Sequence, residues 1–272
     1  MYSDRYYVNP AAKRDIAIQL LLLAIASSDY RLCVTMVGQI GAICQLDDAF
    51  TRTDITLPKC IELEFAEYDV CQSFFDDLES VLSIYEHTQF TVTRKTLFDE
   101  EDYQNEAIVE CHLSDGSVVQ LILVLTVSRI VEEFRHMPSS GKLAYYEPEV
   151  LFLNAMHSLR YGRIFGMYNH VHTIYLVMKY LYIRPNFFNN IFCLKFDESS
   201  WRESLDRAYL ATVYGYYARH LRDTNEGTDN IYSKTISCLG SLRNLPQSSV
   251  RHSLWDAYKE KFVSYEPSYC EM

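Results

Sequence analysis

The sequence predicts an α+β protein: a mixed sheet with flanking helices over residues 1–137, followed by a mainly helical region over 138–272, the two packed as one continuous body. Three observations carry that expectation. Between Phe90 and Arg129 apolar residues recur with period two, the signature of strands, whereas on either side they recur at spacings of three and four, the signature of a helix face. Asp115-Gly116 separates two of the period-two runs, and an Asp-Gly pair supplies the positive φ angles that a tight hairpin needs. Nearly half the chain (49%) is hydrophobic while it holds only 9 Gly and 7 Pro, so a large core is available and flexible linkers are scarce.

The elements follow in order. Residues 11–30 form a helix started by Asn9-Pro10, and residues 33–37 form a short β-branched strand. Gly38 and Gly41 bracket Gln39-Ile40 before a turn at Asp47-Asp48, after which the alternation of Thr53-Asp54-Ile55-Thr56-Leu57 predicts a half-buried strand closed by Pro58. A single helix is expected over 70–85, then strands near Phe90, over 107–113 and over 118–127. The last of these is almost continuously apolar, which predicts a central strand covered on both faces. Helical periodicity marks 149–161, 174–183, 200–221 and 250–262, with Arg184-Pro185-Asn186 as a stop. Gly227-Thr228-Asp229-Asn230 and Leu245-Pro246-Gln247 are expected to be exposed loops.

Charge and composition exclude several classes of function. With 36 acidic and 25 basic residues the net charge is -11, which opposes general nucleic-acid binding. The apolar run over 16–26 is about half the roughly 20 residues needed to span a bilayer. Lys13 and Arg14 before that run, and Ala24-Ile25-Ala26-Ser27 at its end, have the outline of a secretory signal, but Asp15 argues for a buried helix. No membrane association is expected, and the localisation expected is intracellular, in cytoplasm, nucleus or a viral assembly.

The eight cysteines show no C-x-x-C spacing and no matched His pair, so no zinc site is expected. Cys33, Cys44 and Cys193 lie in apolar runs and are expected to be reduced core residues. Cys270, near the C-terminus, is the candidate for an intermolecular disulfide. His170-Val171-His172 would share a face only in a strand, and the surroundings predict a helix start. Cys111 and His112 are adjacent, so a strand sends them to opposite faces. The acidic run Asp99-Glu100-Glu101-Asp102 is expected to be a solvated loop. The 22 tyrosines, often paired as in Tyr6-Tyr7, Tyr145-Tyr146 and Tyr216-Tyr217, with Tyr265 and Tyr269 near the end, are either ordinary amphipathic packing or contact surface for another protein.

One resemblance gathers these segments. Val37-Gly38-Gln39-Ile40-Gly41 followed by Arg52-Thr53-Asp54-Ile55-Thr56-Leu57 is similar to the glycine turn and acidic strand of the nucleotidyltransferase fold. Thr91-Val92-Thr93-Arg94 and Asp115-Gly116-Ser117-Val118-Val119-Gln120-Leu121 resemble the hairpin of nucleotidyltransferase-like proteins of large DNA viruses. Val127-Ser128-Arg129-Ile130, Tyr145-Tyr146-Glu147-Pro148 and Arg160-Tyr161-Gly162-Arg163-Ile164 keep the order of the segments that follow there. The resemblance spans roughly residues 30–185.

The resemblance implies a site of three carboxylates holding two divalent cations, two of them two residues apart on one strand and a third on its neighbour. Asp54 takes the first position, but Thr56 stands at the second, and residues 125–128 offer only Leu, Thr, Val and Ser for the third. Gly38, Gln39 and Gly41 are then the remnant of a phosphate-binding turn. On this alignment no metal or other cofactor is bound and catalysis is lost. The expectation is a virus-encoded protein acting by binding or self-assembly, its partner another copy or another protein. The competing expectation is an active metal-dependent nucleotidyltransferase whose acids are Asp54 with Glu62, Glu64 or Glu110.

Overall fold

Pro10 opens the first helix, where its missing N–H costs nothing because the first turn leaves its donors unbonded. The computed structural model describes residues 10–46, 58, 60–83, 89–97, 104–127, 135–137, 142–160, 167–181, 183, 198–220, 226–245, 253–256 and 258–264. Helix α1 (Pro10–Ala26) buries Ala17, Ile18, Leu21, Leu22, Ala24, Ile25 and Ala26. Ser28 ends this segment and caps a short 3-10 turn (Asp29–Leu32), accepting the Tyr30 N–H at 3.3 Å. The expected helix over 11–30 is therefore a helix plus this turn. Strand β1 (Val34–Met36) is wholly buried, and α2 (Gly38–Ile43) follows it directly.

Strand β2 (Cys60–Phe65) runs antiparallel to β1 and parallel to β5 (Val118–Val127). Between β2 and the meander the single helix expected over 70–85 is two, α3 (Tyr68–Asp76) and α4 (Leu78–Ser83). The break is at Asp77, whose carboxylate accepts the Tyr30 hydroxyl at 2.6 Å. Tyr30 in turn sets its ring edge-on to Phe74, with centroids 5.3 Å apart.

Strands β3 (Gln89–Leu97), β4 (Gln104–His112) and β5 form an antiparallel meander. The Asp115-Gly116 segment joins β4 and β5 in a hairpin as expected, but positive φ is found at Gly116 and not at Asp115. Gly116 has φ +81°, its N–H donates to the Leu113 carbonyl at 2.9 Å, and Asp115 accepts both the N–H and the hydroxyl of Ser117. Lys13 of α1 closes on Asp115 at 2.7 Å, and with the Ser117 bonds it holds that carboxyl well below its usual range. Short strands β6 (Arg135–His136) and β7 (Ala144–Tyr146) complete a seven-stranded mixed sheet of order β3-β4-β5-β2-β1-β7-β6.

One face of this sheet is core: Ala107, Val109, Cys111, Leu121, Leu123, Leu125, Ile61 and Leu63 are fully buried. The alternate residues Ile122, Val124 and Thr126 of β5 are half-buried, which corrects the expectation of a strand covered on both faces. Its long apolar run reflects β-branched filling of an open face as well as a core one.

The chain divides after Tyr146 into two compact units, Met1–Tyr146 and Glu147–Met272. The second unit contains helices α5 (Pro148–Arg160), α6 (Met167–Tyr180), α7 (Glu198–His220) and α8 (Glu226–Arg243). Helix α8 overturns the loop expected at Gly227 to Asn230: Thr228, Tyr232, Thr235, Cys238, Leu239 and Leu242 are buried at helical spacing, so packing overrides the turn-forming residues.

The helix expected over 250–262 is a hairpin, β8 (Ser253–Asp256) with β9 (Lys261–Ser264). Leu254, Tyr258 and Phe262 recur at spacing four and mimic a helix. The turn is instead fixed by Asp256, which accepts the N–H groups of Tyr258 and Lys259, and by the Ser241 hydroxyl, which accepts the Phe262 N–H at 2.9 Å. Among the described residues no helix is long and apolar enough to cross a membrane.

Cys71, Cys111 and Cys238 are buried, as core thiols should be, but Cys33 is exposed and Cys44 only partly covered. Burial pushes the Cys44 thiol up to about 12. The segments at Asp47-Asp48, at 53–57, with Asp54 and Thr56, and at 161–166, together with Asp99 to Asp102, Ser128, Cys193 and Cys270, lie outside the described residues.

His170 and His172 lie on α6, so they diverge. His172 is 5% exposed, packed between Tyr168 and Tyr175, and burial lowers its pKa from 6.5 to about 4. Protonation is thus disfavoured in the folded state, so stability is intact above pH 6.5 and falls as pH drops from 6.5 towards 4, by at most roughly 3 kcal/mol. His172→Phe should flatten that part of a urea-denaturation pH profile relative to the parent protein.

Candidate functional site

Strand β1, the turn into α2, and strand β2 meet at Gly38. Val37 is extended, and its N–H donates to the Glu62 carbonyl at 3.1 Å, so the end of β1 is still tied to β2 when the chain turns. Gly38 then takes φ +59°, a left-handed conformation that glycine adopts without a Cβ penalty. A Cβ there would lie 2.5 Å from Glu62 Oε2 and 2.8 Å from Glu62 Cδ. The carboxylate of Glu62 therefore packs directly over the glycine that opens α2.

The other residues expected in the turn are in the helix. Gln39 is 3% exposed, and the Gly41 N–H donates to the Val37 carbonyl at 3.1 Å as an ordinary helical bond. Gly38, Gln39 and Gly41 thus start a buried six-residue helix, which corrects the expectation of an open turn. The signal for this was present in Ile40, Ala42 and Ile43, all buried.

Strand β2 supplies two acids that the preferred alignment left aside. Glu62 and Glu64 are two residues apart and so project to the same face, opposite the buried Ile61, Leu63 and Phe65. Glu64 is only 7% exposed, and its Oε1 accepts the Tyr146 hydroxyl at 2.6 Å. Tyr146, on β7, is itself buried, and the Thr35 side chain hydrogen-bonds the same phenol. Burial, then the negative charge of Glu64 and its hydrogen bond, push the Tyr146 phenol far above its usual range. It is a fixed donor at any physiological pH.

Arg135, paired with Tyr146 across β6 and β7, contributes positive charge to this corner and donates through Nη2 to the carbonyls of Leu32 and Val34. Gln45, just after α2, donates to the Tyr146 carbonyl at 3.0 Å. Five segments of the first unit are thus tied to one tyrosine and one glutamate: β1, the residues after α2, β2, β6 and β7.

Across the sheet, register places Val124 of β5 beside Glu62 and Thr126 beside Glu64. Thr126 donates its hydroxyl to the Leu63 carbonyl at 3.4 Å. The nearest further acid in that row is Glu106 of β4, opposite Val124. It stands two strands from Glu62, about 9.6 Å across the sheet. Cys60, on the same face, has its thiol pushed up by burial first and then by Glu62 and Glu106. Glu110 pairs with Gln120, four residues along β5 from Val124, about 13 Å away, so it is not brought to the pair.

A two-cation site built on Glu62 and Glu64 does not fit the residues around them: Glu64 accepts the buried Tyr146 phenol, and Val124 and Thr126 stand beside the pair on β5. Among the described residues no group of three His, Cys, Asp or Glu side chains could hold a metal ion. Glu106 was not singled out in the sequence because its place in this row depends on strand register, which the sequence leaves open.

Two substitutions probe this corner. Tyr146→Phe removes the phenol that donates to the buried Glu64 carboxylate and should destabilise the protein by about 1–3 kcal/mol in urea denaturation, with less effect in a Glu64→Gln background. Gly38→Ala forces a Cβ into left-handed backbone and displaces the Glu62 carboxylate, and should cost about 1–2 kcal/mol by the same measurement.

No protein-family model and no curated protein sequence matches the chain. Among solved structures, JHP933 from Helicobacter pylori aligns over 84% of this chain and 93% of its own, with TM-score 0.44 and 9% identity. A candidate nucleotidyltransferase from H. pylori aligns over 79% of this chain and 98% of its own, with TM-score 0.36 and 10% identity.

Proposed function

We propose that this chain is a nucleotidyltransferase-like protein, virus-encoded, that has turned its strand acids to structural use and works by binding, with self-association foremost, rather than by transferring nucleotides. The hydrogen bond from the buried Tyr146 hydroxyl to Glu64 is the observation that carries it. A carboxylate that binds a divalent cation must offer its lone pairs to the metal. Here one oxygen already accepts from a phenol held in place by its own strand, and the Glu62 carboxylate lies where an incoming phosphate would approach Gly38.

The order β1, glycine, α2, acidic β2, followed by the Asp115-Gly116 hairpin, supports the nucleotidyltransferase-like part of the proposal. The segments from Thr91 to Arg94 and from Asp115 to Leu121 support the viral part. A net charge of -11 disfavours nucleic acid as the partner, and a tyrosine-rich helical unit favours protein.

The competing reading, an active enzyme, draws on one feature: Glu62 and Glu64 share a face of β2. Labelled nucleotide supplied with Mg²⁺ or Mn²⁺ and with protein, RNA or small-molecule acceptors discriminates the two. The expected result is no incorporation above a protein-free control. Metal-dependent incorporation that Glu62→Gln and Glu64→Gln both abolish would establish the enzyme instead.

A further inference from the structure

Helix α7 is apolar on two opposite sides. Ser204, Leu205, Ala208 and Thr212 are buried and form its inner side within the helical unit. On the other side Leu210, Tyr214 and Tyr217 are 58%, 67% and 62% exposed, and Glu203 and Arg207 continue the line towards the N-terminus. These five positions advance by alternating steps of four and three, the spacing of a coiled-coil seam, and at about 100° per residue they fall within roughly 80° of arc. The seam is about 21 Å long at the usual helical rise.

Its two ends differ in chemistry. The N-terminal end is a charged pair, Arg207 Nη2 to Glu203 Oε1 at 2.6 Å, both side chains more than half exposed. The C-terminal end is two tyrosines, with Tyr217 held edge-on by Tyr216 at a centroid separation of 5.5 Å. Such a seam is complementary to itself when a second copy is laid antiparallel across a two-fold axis at Leu210. In that register Leu210 meets Leu210, Arg207 lies opposite Tyr214 of the other copy, and Glu203 lies opposite Tyr217. A guanidinium over a phenol ring and a carboxylate accepting a phenol hydroxyl are both favourable pairs. Parallel pairing would instead place Arg207 on Arg207 and Glu203 on Glu203.

We infer that the Glu203, Arg207, Leu210, Tyr214 and Tyr217 seam of α7 is a homodimer interface, two copies of the chain pairing antiparallel about Leu210. This rests on the self-association reading above and names its surface. An isologous two-fold contact of this kind closes on itself and yields a dimer.

Sedimentation equilibrium of the full chain, with reductant present to remove disulfide-linked species, tests it. The parent protein should show a concentration-dependent monomer–dimer equilibrium. Leu210→Glu, which sets two carboxylates face to face at the axis, and Tyr214→Arg, which sets a second guanidinium against Arg207 of the other copy, should each weaken the dimer at least about tenfold. Arg207→Glu combined with Tyr214→Arg should restore it, because the two new charges face each other only between copies. They are seven residues apart on one helix and too far for an internal pair. Circular dichroism and thermal melting confirm that each variant is folded. If the parent dimerises and neither single variant weakens it, self-association stands and this surface is wrong. If the double variant is as monomeric as Tyr214→Arg, the antiparallel register is wrong. A parent protein monomeric at every concentration would overturn self-association and the interface together.

Discussion

A buried carboxylate is tolerated only when its lone pairs are answered, and in this protein the answer to Glu64 is the hydroxyl of Tyr146. That bond spans β1 to join β2 to β7, and the residues around it extend the tie. Thr35 hydrogen-bonds the phenol, Gln45 reaches the tyrosine carbonyl, and Arg135 brings positive charge and bonds to Leu32 and Val34. The short strands at this side of the sheet have little pairing of their own, since β6 contributes two residues and β7 three. Their position follows from the tyrosine more than from the ladder.

The same constraint shapes the turn at Gly38. Because Val37 remains bonded to the Glu62 carbonyl, the chain must reverse within one residue to begin α2, and only the left-handed region permits it there. Removing a side chain at position 38 makes room for the Glu62 carboxylate. The glycine and the two glutamates thus form one connected arrangement, with Glu62 over Gly38 and Glu64 accepting the Tyr146 hydroxyl. An aspartate two residues from another on a strand is chemically ready for cations, and so is a Glu-x-Glu pair in principle. What a neighbouring residue donates to those oxygens decides whether they are available, and here a fixed phenol donates to one of them.

Much of the architecture was legible in the sequence, and the failures have physical causes. The Asp115-Gly116 hairpin and strand β5 follow from turn chemistry and period-two apolar residues, and α1, α5 and α7 from helical periodicity. The strand carrying the site was harder to find. Cys60-Ile61-Glu62-Leu63-Glu64-Phe65 alternates as cleanly as Thr53 to Leu57, but its charged positions look like solvated residues unless a buried donor such as Tyr146 is known, and that donor lies 82 residues away. Gly227 and Asn230 suggested a loop because local preference favours turns, yet burial of Tyr232, Leu239 and Leu242 offsets that preference. Leu254, Tyr258 and Phe262 suggested a helix because spacing of four fits a helix face, while Asp256 encodes the turn that splits it.

A non-catalytic role requires that Glu62 and Glu64 be held by the protein and not offered to metal. Titration of Mn²⁺ monitored by electron paramagnetic resonance, comparing the parent protein with Glu64→Gln and Tyr146→Phe, tests it directly. Free Mn²⁺ signal should be the same for the parent and Glu64→Gln. Loss of free Mn²⁺ on the parent protein that disappears in Glu64→Gln would contradict the claim.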